Sequence, residues 1–143
     1  MKIDTEYLLR CINALEKAHE LLLGANPEDI EYDMYKSVCV KEFEIILEQS
    51  GKLLKRVLKP YFHSPKAVDQ LYYKDVFRQA VLRNIMDTDM CERFMEYRDN
   101  RNNTAHDYGV NFAEETLVML PTFIEDARLL VQIIEKQNNV IEG

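Results

Sequence analysis

With 143 residues and 47% hydrophobic content, the chain is one domain's worth and long enough to bury a real core. Four glycines and four prolines are few, which excludes the turn-punctuated pattern of a β-sandwich or barrel and favours long elements built from helix formers. The formal net charge of −7, from 25 acids against 18 bases, argues against coating nucleic acid by bulk electrostatics, while leaving room for a local site that holds one phosphate.

The first helix is predicted from about Asp4, as N-cap, to Leu23. Leu8, Cys11, Leu15, Ala18 and Leu22 repeat there at spacings of three and four, and Gly24 follows as a helix-ending residue. A longer second helix runs from about Glu31 to Lys59, with Tyr35, Cys39, Phe43, Ile46, Ser50, Leu53 and Val57 on one face. Its late bases (Lys52, Lys55, Arg56 and Lys59) suit the negative end of a helix macrodipole, and Pro60 ends it. Ser64 before Pro65 reads as an N-cap with proline at the first helical position, so a short helical turn begins there.

A third main helix, about Tyr72 to Asn84, is predicted to bury Val76, Phe77, Ala80 and Val81. Asp89 with Glu92 three residues on resembles a capping box and opens a fourth helix, ending near Gly109. Asn111 with Glu114 opens the last helix, which runs to about Gln137 with Pro121 inside it. The sum is all-α: one domain, residues 1–143, folded as an antiparallel up-and-down bundle of four to five helices.

Cys11, Cys39 and Cys91 are odd in number and widely spaced, with no paired-cysteine motif. They read as buried thiols of a reducing cytosol rather than a disulfide or zinc framework. The N-terminus carries charges throughout, unlike a signal peptide, and no apolar run approaches the roughly 20 residues of a membrane span. A cytoplasmic protein without metal, cofactor or membrane contact is expected.

The stretch "YRDNRNNTAHDYG", residues 97–109, is the most informative. At roughly 100° per residue, Met90, Phe94, Tyr97, Thr104, Ala105 and Tyr108 fall within about 60° of the line through Arg101. An arginine in an apolar stripe requires compensation, because burying an unpaired guanidinium costs several kcal/mol. Arg101 and Tyr108 share a face, and Asn102 and His106 share the adjacent one. Arg101 and His106 would not converge on an ideal helix. Either the helix unwinds before Gly109, or two copies of the segment meet across a twofold axis, bringing two arginines and two histidines to one cleft.

Such a set suits phosphodiester chemistry without metal. A histidine near its ordinary pKa exchanges protons at neutral pH, and an arginine clamps a phosphate and stabilises the growing charge. RNA brings its own nucleophile, the 2′-hydroxyl. The same residues also fit a purely structural hydrogen-bonded cluster. Residues 83–108 hold four arginines against six acids, so the helix alone offers RNA no basic strip. His19 and His63 have no second ligand at helical spacing and read as surface or loop residues. Glu42, Glu44 and Glu48 read as a solvated face, and the "LYYKD" segment as packing rather than a base-stacking platform.

"RNNTAHDY" fits the pattern R-x4-H-x-Y with a polar asparagine after the arginine, and so resembles HEPN domains. The likeness is to the branch of HepT-type toxins and nucleotidyltransferase substrate-binding proteins. "KEFEIILEQSGKLLKRVL" resembles that branch's second helix, and "SPKAVDQLYYKDVFRQAVLRN" the segment that follows it. The resemblance implies a homodimer through the motif helix and a minimal nucleotidyltransferase encoded nearby as partner. It further implies a metal-independent endoribonuclease toxin of a type VII-like toxin–antitoxin pair, with RNA as substrate. Arg101 and His106 would then be catalytic, Asn102 and Asp99 supporting and orienting, and Tyr108 the acceptor of a silencing AMP. The same resemblance also admits a non-catalytic substrate-binding (adaptor) subunit of the nucleotidyltransferase.

Overall fold

The computed structural model describes residues 2–104 and 110–142, with side-chain surroundings for residues 2–101 and 114–140. Its helices are α1 (Glu6–Leu23), α2 (Ile30–Leu58), α3 (Pro65–Asp69), α4 (Tyr73–Leu82), α5 (Thr88–Thr104) and α6 (Val110–Glu142), with a 3-10 turn at Lys59–Tyr61. Among the described residues there is no strand. The all-α expectation therefore holds.

Two starts differ from the sequence reading. Asp4 does not cap the first helix from the N-cap position: that position is Thr5, and Asp4 Oδ1 instead accepts the Glu6 N–H at 2.9 Å. Thr5 turns its hydroxyl to Glu135 on α6. At α5 the capping carboxylate is Asp87, whose Oδ1 accepts the Met90 N–H at 2.8 Å, rather than Asp89. Two aspartates stand two residues apart there, and the earlier one lies three residues before a free helix-start N–H, the spacing an N-cap needs. Ser64 behaves as expected, its Oγ accepting the Ala67 N–H at 3.2 Å. The expected cap at Asn111 lies outside the described side chains.

Side-chain pairs give the helix directions. Ile3 meets Asn138, and Arg128 meets Asn13 and Glu16, so α1 and α6 run antiparallel. Lys36 pairs with Glu114 and Tyr61 with Gln137, so α2 and α6 run the same way. Arg93 pairs with Asp126 and Asn100 with Thr116, which sets α5 against α6. The four long helices thus alternate in direction along the chain. Between α2 and α5 the chain doubles back through the 3-10 turn and α3, and α4 then runs alongside α2: Tyr73 bonds to Leu47, and Arg83 lies over the rings of Tyr61 and Phe62. Asn84, at φ 58°, ends α4 in the left-handed region that asparagine tolerates better than most residues.

The core is aromatic where the later helices meet. Phe43 of α2, Phe77 of α4, Phe94 and Tyr97 of α5, and Phe123 of α6 are all buried. Their ring centroids stand 4.6–6.5 Å apart in tilted, stacked and edge-on pairs. The three cysteines are buried free thiols, as read from their spacing, and burial pushes the Cys39 thiol up to about 11. Glu42 departs from the solvated face assigned to it. It is half-buried, and its Oε2 is enclosed without a hydrogen-bond partner among the described residues.

Candidate functional site

Helix α5 carries the start of the motif, Arg101 to Thr104, and the described part of its apolar stripe is accounted for within the chain. Met90, Phe94 and Tyr97 are buried in this protein's own core. Arg101 comes one turn after Tyr97 and is half-buried rather than enclosed. The compensation that a buried guanidinium would demand is correspondingly reduced.

Arg101 borders a cavity of about 280 Å³ between three helices. From α2 come Glu48, Gly51, Lys52 and Lys55; from α4, Tyr73 and Val76; from α5, Arg98 beside Arg101. Among the described residues the lining therefore brings four cations together against one carboxylate. The bases read from the sequence as macrodipole partners thus also face the motif helix across the cavity.

Tyr73 organises the wall. Its hydroxyl donates to the Leu47 carbonyl at 2.8 Å, and its ring lies 5.0 Å from that of Phe77. The Arg98 guanidinium sits over the Tyr73 ring at 4.5 Å from its centroid, within cation–π range. Burial raises the Tyr73 hydroxyl well above the ordinary phenol range, with the Arg98 charge pulling the other way. Gly51 makes this packing possible: a β-carbon there would stand 2.6 Å from Tyr73 Cε2. "LYYKD" divides accordingly. Tyr73 is packing, as expected, while Tyr72 is 81% exposed.

The other expected site residues are placed as follows. Asp99 is exposed and turned toward α4, where its Oδ1 accepts from Lys74 Nζ at 2.6 Å. It does not line the cavity. The Asn102 side chain lies outside the described side chains, and His106 and Tyr108 lie outside the described residues. His63 is exposed and His19 half-buried. Among the described residues no group of three His, Cys, Asp or Glu side chains is arranged to hold a metal ion, and no helix is long and apolar enough to cross a membrane.

Two polar arrangements on α5 were missed from the sequence. Asn100 is buried and donates from Nδ2 to Thr116 Oγ1 at 3.1 Å, tying the end of α5 to α6 immediately before the motif arginine. Asp126, only 2% exposed, accepts two bonds from Arg93 at 2.8 and 2.9 Å and one from the Tyr97 hydroxyl at 2.6 Å. Desolvation and the Asp126 carboxylate both raise the Tyr97 hydroxyl, and the Asp126 hydrogen bond raises the Arg93 guanidinium. A signal existed for the second: Asp126 interrupts the apolar face of α6 between Phe123 and Leu130, as Arg101 interrupts that of α5.

Fold and cavity together define an all-helical module with cations gathered at the end of its motif helix. The chain belongs to the family described as nucleotidyltransferase substrate binding protein like, whose model matches residues 4–136. A curated relative from Haemophilus influenzae, named "Probable ribonuclease HepT", is 28% identical over 100 residues, covering 70% of this chain and 67% of that protein. The HI0074 structure from the same organism, described as the fold of a substrate binding domain of a nucleotidyltransferase, matches with a TM-score of 0.76. It is 20% identical, and the match covers 92% of this chain and 99% of that one. The family resemblance read from "RNNTAHDY" is borne out.

Proposed function

We propose that the chain is a metal-independent endoribonuclease, the toxin of a type VII-like toxin–antitoxin pair with a minimal nucleotidyltransferase. One observation carries this reading: Arg101 and Arg98 of the motif helix border a cavity to which α2 contributes Lys52 and Lys55, positive surface that the motif helix lacks alone. The relative named as a probable ribonuclease supports the same activity. In the proposed homodimer the motif helices meet, and one shared cleft takes residues from both chains. The 2′-oxygen of RNA attacks the adjacent phosphorus while one His106 accepts its proton. The 5′-oxygen leaves with a proton from the second His106, giving a 2′,3′-cyclic phosphate and a 5′-hydroxyl. Arg101 holds the phosphate and stabilises the charge that builds on its oxygens. Asn102 orients the pair, and Asp99 acts through its Lys74 ion pair by tying α4 to the motif helix. AMP on Tyr108 would add bulk and negative charge beside the cleft and so repel RNA.

The test is cleavage of tRNA or mRNA in EDTA by the parent, by Arg101→Ala and by His106→Ala. Cleavage by the parent that both variants lose supports the enzyme. A preparation that cuts nothing, or variants that cut as well as the parent, ends this reading. The family match over residues 4–136 favours a second one, a non-catalytic substrate-binding adaptor of the nucleotidyltransferase. Transfer of labelled AMP by the neighbouring nucleotidyltransferase, with Tyr108→Phe as control, tests the modification. If Tyr108→Phe labels as strongly as the parent, the acceptor is elsewhere.

A further inference from the structure

The cavity is larger than one arginine needs, and its other cations have a geometry of their own. Lys52 and Lys55 stand three residues apart on α2, and Arg98 and Arg101 three apart on α5, so each pair is spread over about 4.5 Å of helix rise. The four cations therefore line the cavity as two pairs, one from each helix. Arg98 is fixed by packing. Its guanidinium lies on the Tyr73 ring, and that ring is held by the Leu47 carbonyl, by Phe77 and by the missing side chain of Gly51. Among the described residues no carboxylate pairs with Arg98.

The lysines also keep their charge available. Lys55 Nζ donates to the neutral Asp69 carbonyl at 3.3 Å. Among the described residues Lys52 reaches Glu48 at 4.0 Å, with both side chains exposed, and such pairs contribute little. A planar fork stacked on an aromatic ring beside two flexible ammonium groups suits a phosphate: the arginine sets direction and the lysines add charge.

We infer that Lys52, Lys55 and Arg98 form a second phosphate subsite, which holds the phosphodiester next to the one at Arg101 in a single RNA strand. The ligand class rests on the ribonuclease reading; the cation arrangement does not. An RNA strand presents phosphates in series, which suits a cavity lined by more cations than one phosphate needs, and the subsite gives the motif a strand direction without base recognition.

Binding is measured separately from cutting, by fluorescence anisotropy with a short 2′-O-methyl RNA, which lacks the attacking hydroxyl. The parent is compared with Arg98→Ala, with Lys52→Ala/Lys55→Ala, with the charge-conserving Lys52→Arg/Lys55→Arg, and with Lys17→Ala on α1 as control. Between about 50 and 200 mM salt, the first two variants should bind about tenfold more weakly, and their log–log salt slopes should be shallower by about 0.7 per lost phosphate contact. The arginine pair should keep most of the affinity, and the α1 control should match the parent. Circular dichroism melting confirms that each variant is folded. Binding by Arg98→Ala and by the lysine double variant equal to the parent overturns the subsite. Tighter binding of free ATP than of the oligonucleotide overturns the assignment to a strand. A parent that binds through these residues yet cuts nothing keeps the subsite and loses only the ribonuclease. A parent that cuts through Arg101 with binding unmoved by the variants does the reverse.

Discussion

Tyr73 occupies the space that a side chain on Gly51 would need: a β-carbon at residue 51 would lie 2.6 Å from Tyr73 Cε2 and 2.8 Å from Cδ2. The ring has little freedom to yield, since its hydroxyl bonds Leu47 and its face packs toward Phe77. Gly51→Ala gains about 1 kcal/mol of helix propensity and incurs overpacking of about 1–3 kcal/mol. The expected net result is a loss of about 1 kcal/mol, read as a lower urea midpoint at unchanged slope. Because Arg98 rides on the displaced ring, the same variant should also weaken oligonucleotide binding. A more stable Gly51→Ala would mean that the ring is free to move.

The buried carboxylate of Asp126 makes its two partners unequal. Removing Arg93 leaves the charge enclosed with only the Tyr97 hydroxyl, and stranding a buried charge costs about 3–5 kcal/mol. Asp126→Asn removes that charge and leaves Arg93, 37% exposed, within reach of water, so its cost should be nearer the 1–3 kcal/mol of an impaired buried hydrogen bond. Denaturant midpoints should therefore rank Arg93→Met below Asp126→Asn. The reverse order would place the main stabilisation in the arginine's packing.

Periodicity carried the helix order, because residues that face one core repeat at three and four whatever they pack against. Leu15, Phe43, Phe77 and Phe94 are all buried where the spacing put them. The cavity was not legible in that way. Lys52 and Lys55 join Arg98 only because the chain doubles back after Pro60 and lays α4 alongside α2, and no local pattern encodes that return. Arg101 sits in a stripe whose described apolar members before it, Met90, Phe94 and Tyr97, are buried in this chain's own core, while the arginine itself is half-buried. Asp126 gave the same kind of signal as Arg101 and was passed over for want of a motif around it.

Cys39 makes stability pH-dependent on the alkaline side. Its thiol is fully buried, and desolvation moves its pKa from 9.0 to about 11. Below pH 9 both folded and unfolded states keep the proton, and the residue contributes no pH slope. Above it the unfolded chain releases the proton while the folded one retains it, so stability falls as pH rises toward 11. Cys39→Ala should lower stability at neutral pH through lost packing and should flatten the pH 9–11 decline. Cys11, Cys91, Tyr73 and Tyr97, raised by burial in the same direction, leave a residual slope. Urea midpoints at pH 7, 9 and 10.5 read both effects, and an unchanged decline in Cys39→Ala would assign the slope to these other groups.

The bond from Asn100 to Thr116 joins α5 to α6 on either side of residues 105–109. Both side chains are buried, so the two halves of the bond depend on each other. Thr116→Val keeps the shape but leaves the Asn100 amide without that acceptor, at a cost of about 1–3 kcal/mol. Asn100→Leu strands only a hydroxyl, which has rotational freedom to find another acceptor, and should cost less. The pair Asn100→Leu/Thr116→Val removes donor and acceptor together and should lie above the sum of the singles by about 1 kcal/mol in a double-mutant cycle. Arg101 follows Asn100 directly, so Thr116→Val should also reduce Arg101-dependent cleavage, while the double variant should recover stability without recovering cleavage. Additive singles would show that the bond does not couple the two helices. Full cleavage by Thr116→Val would show that the motif arginine is positioned from elsewhere.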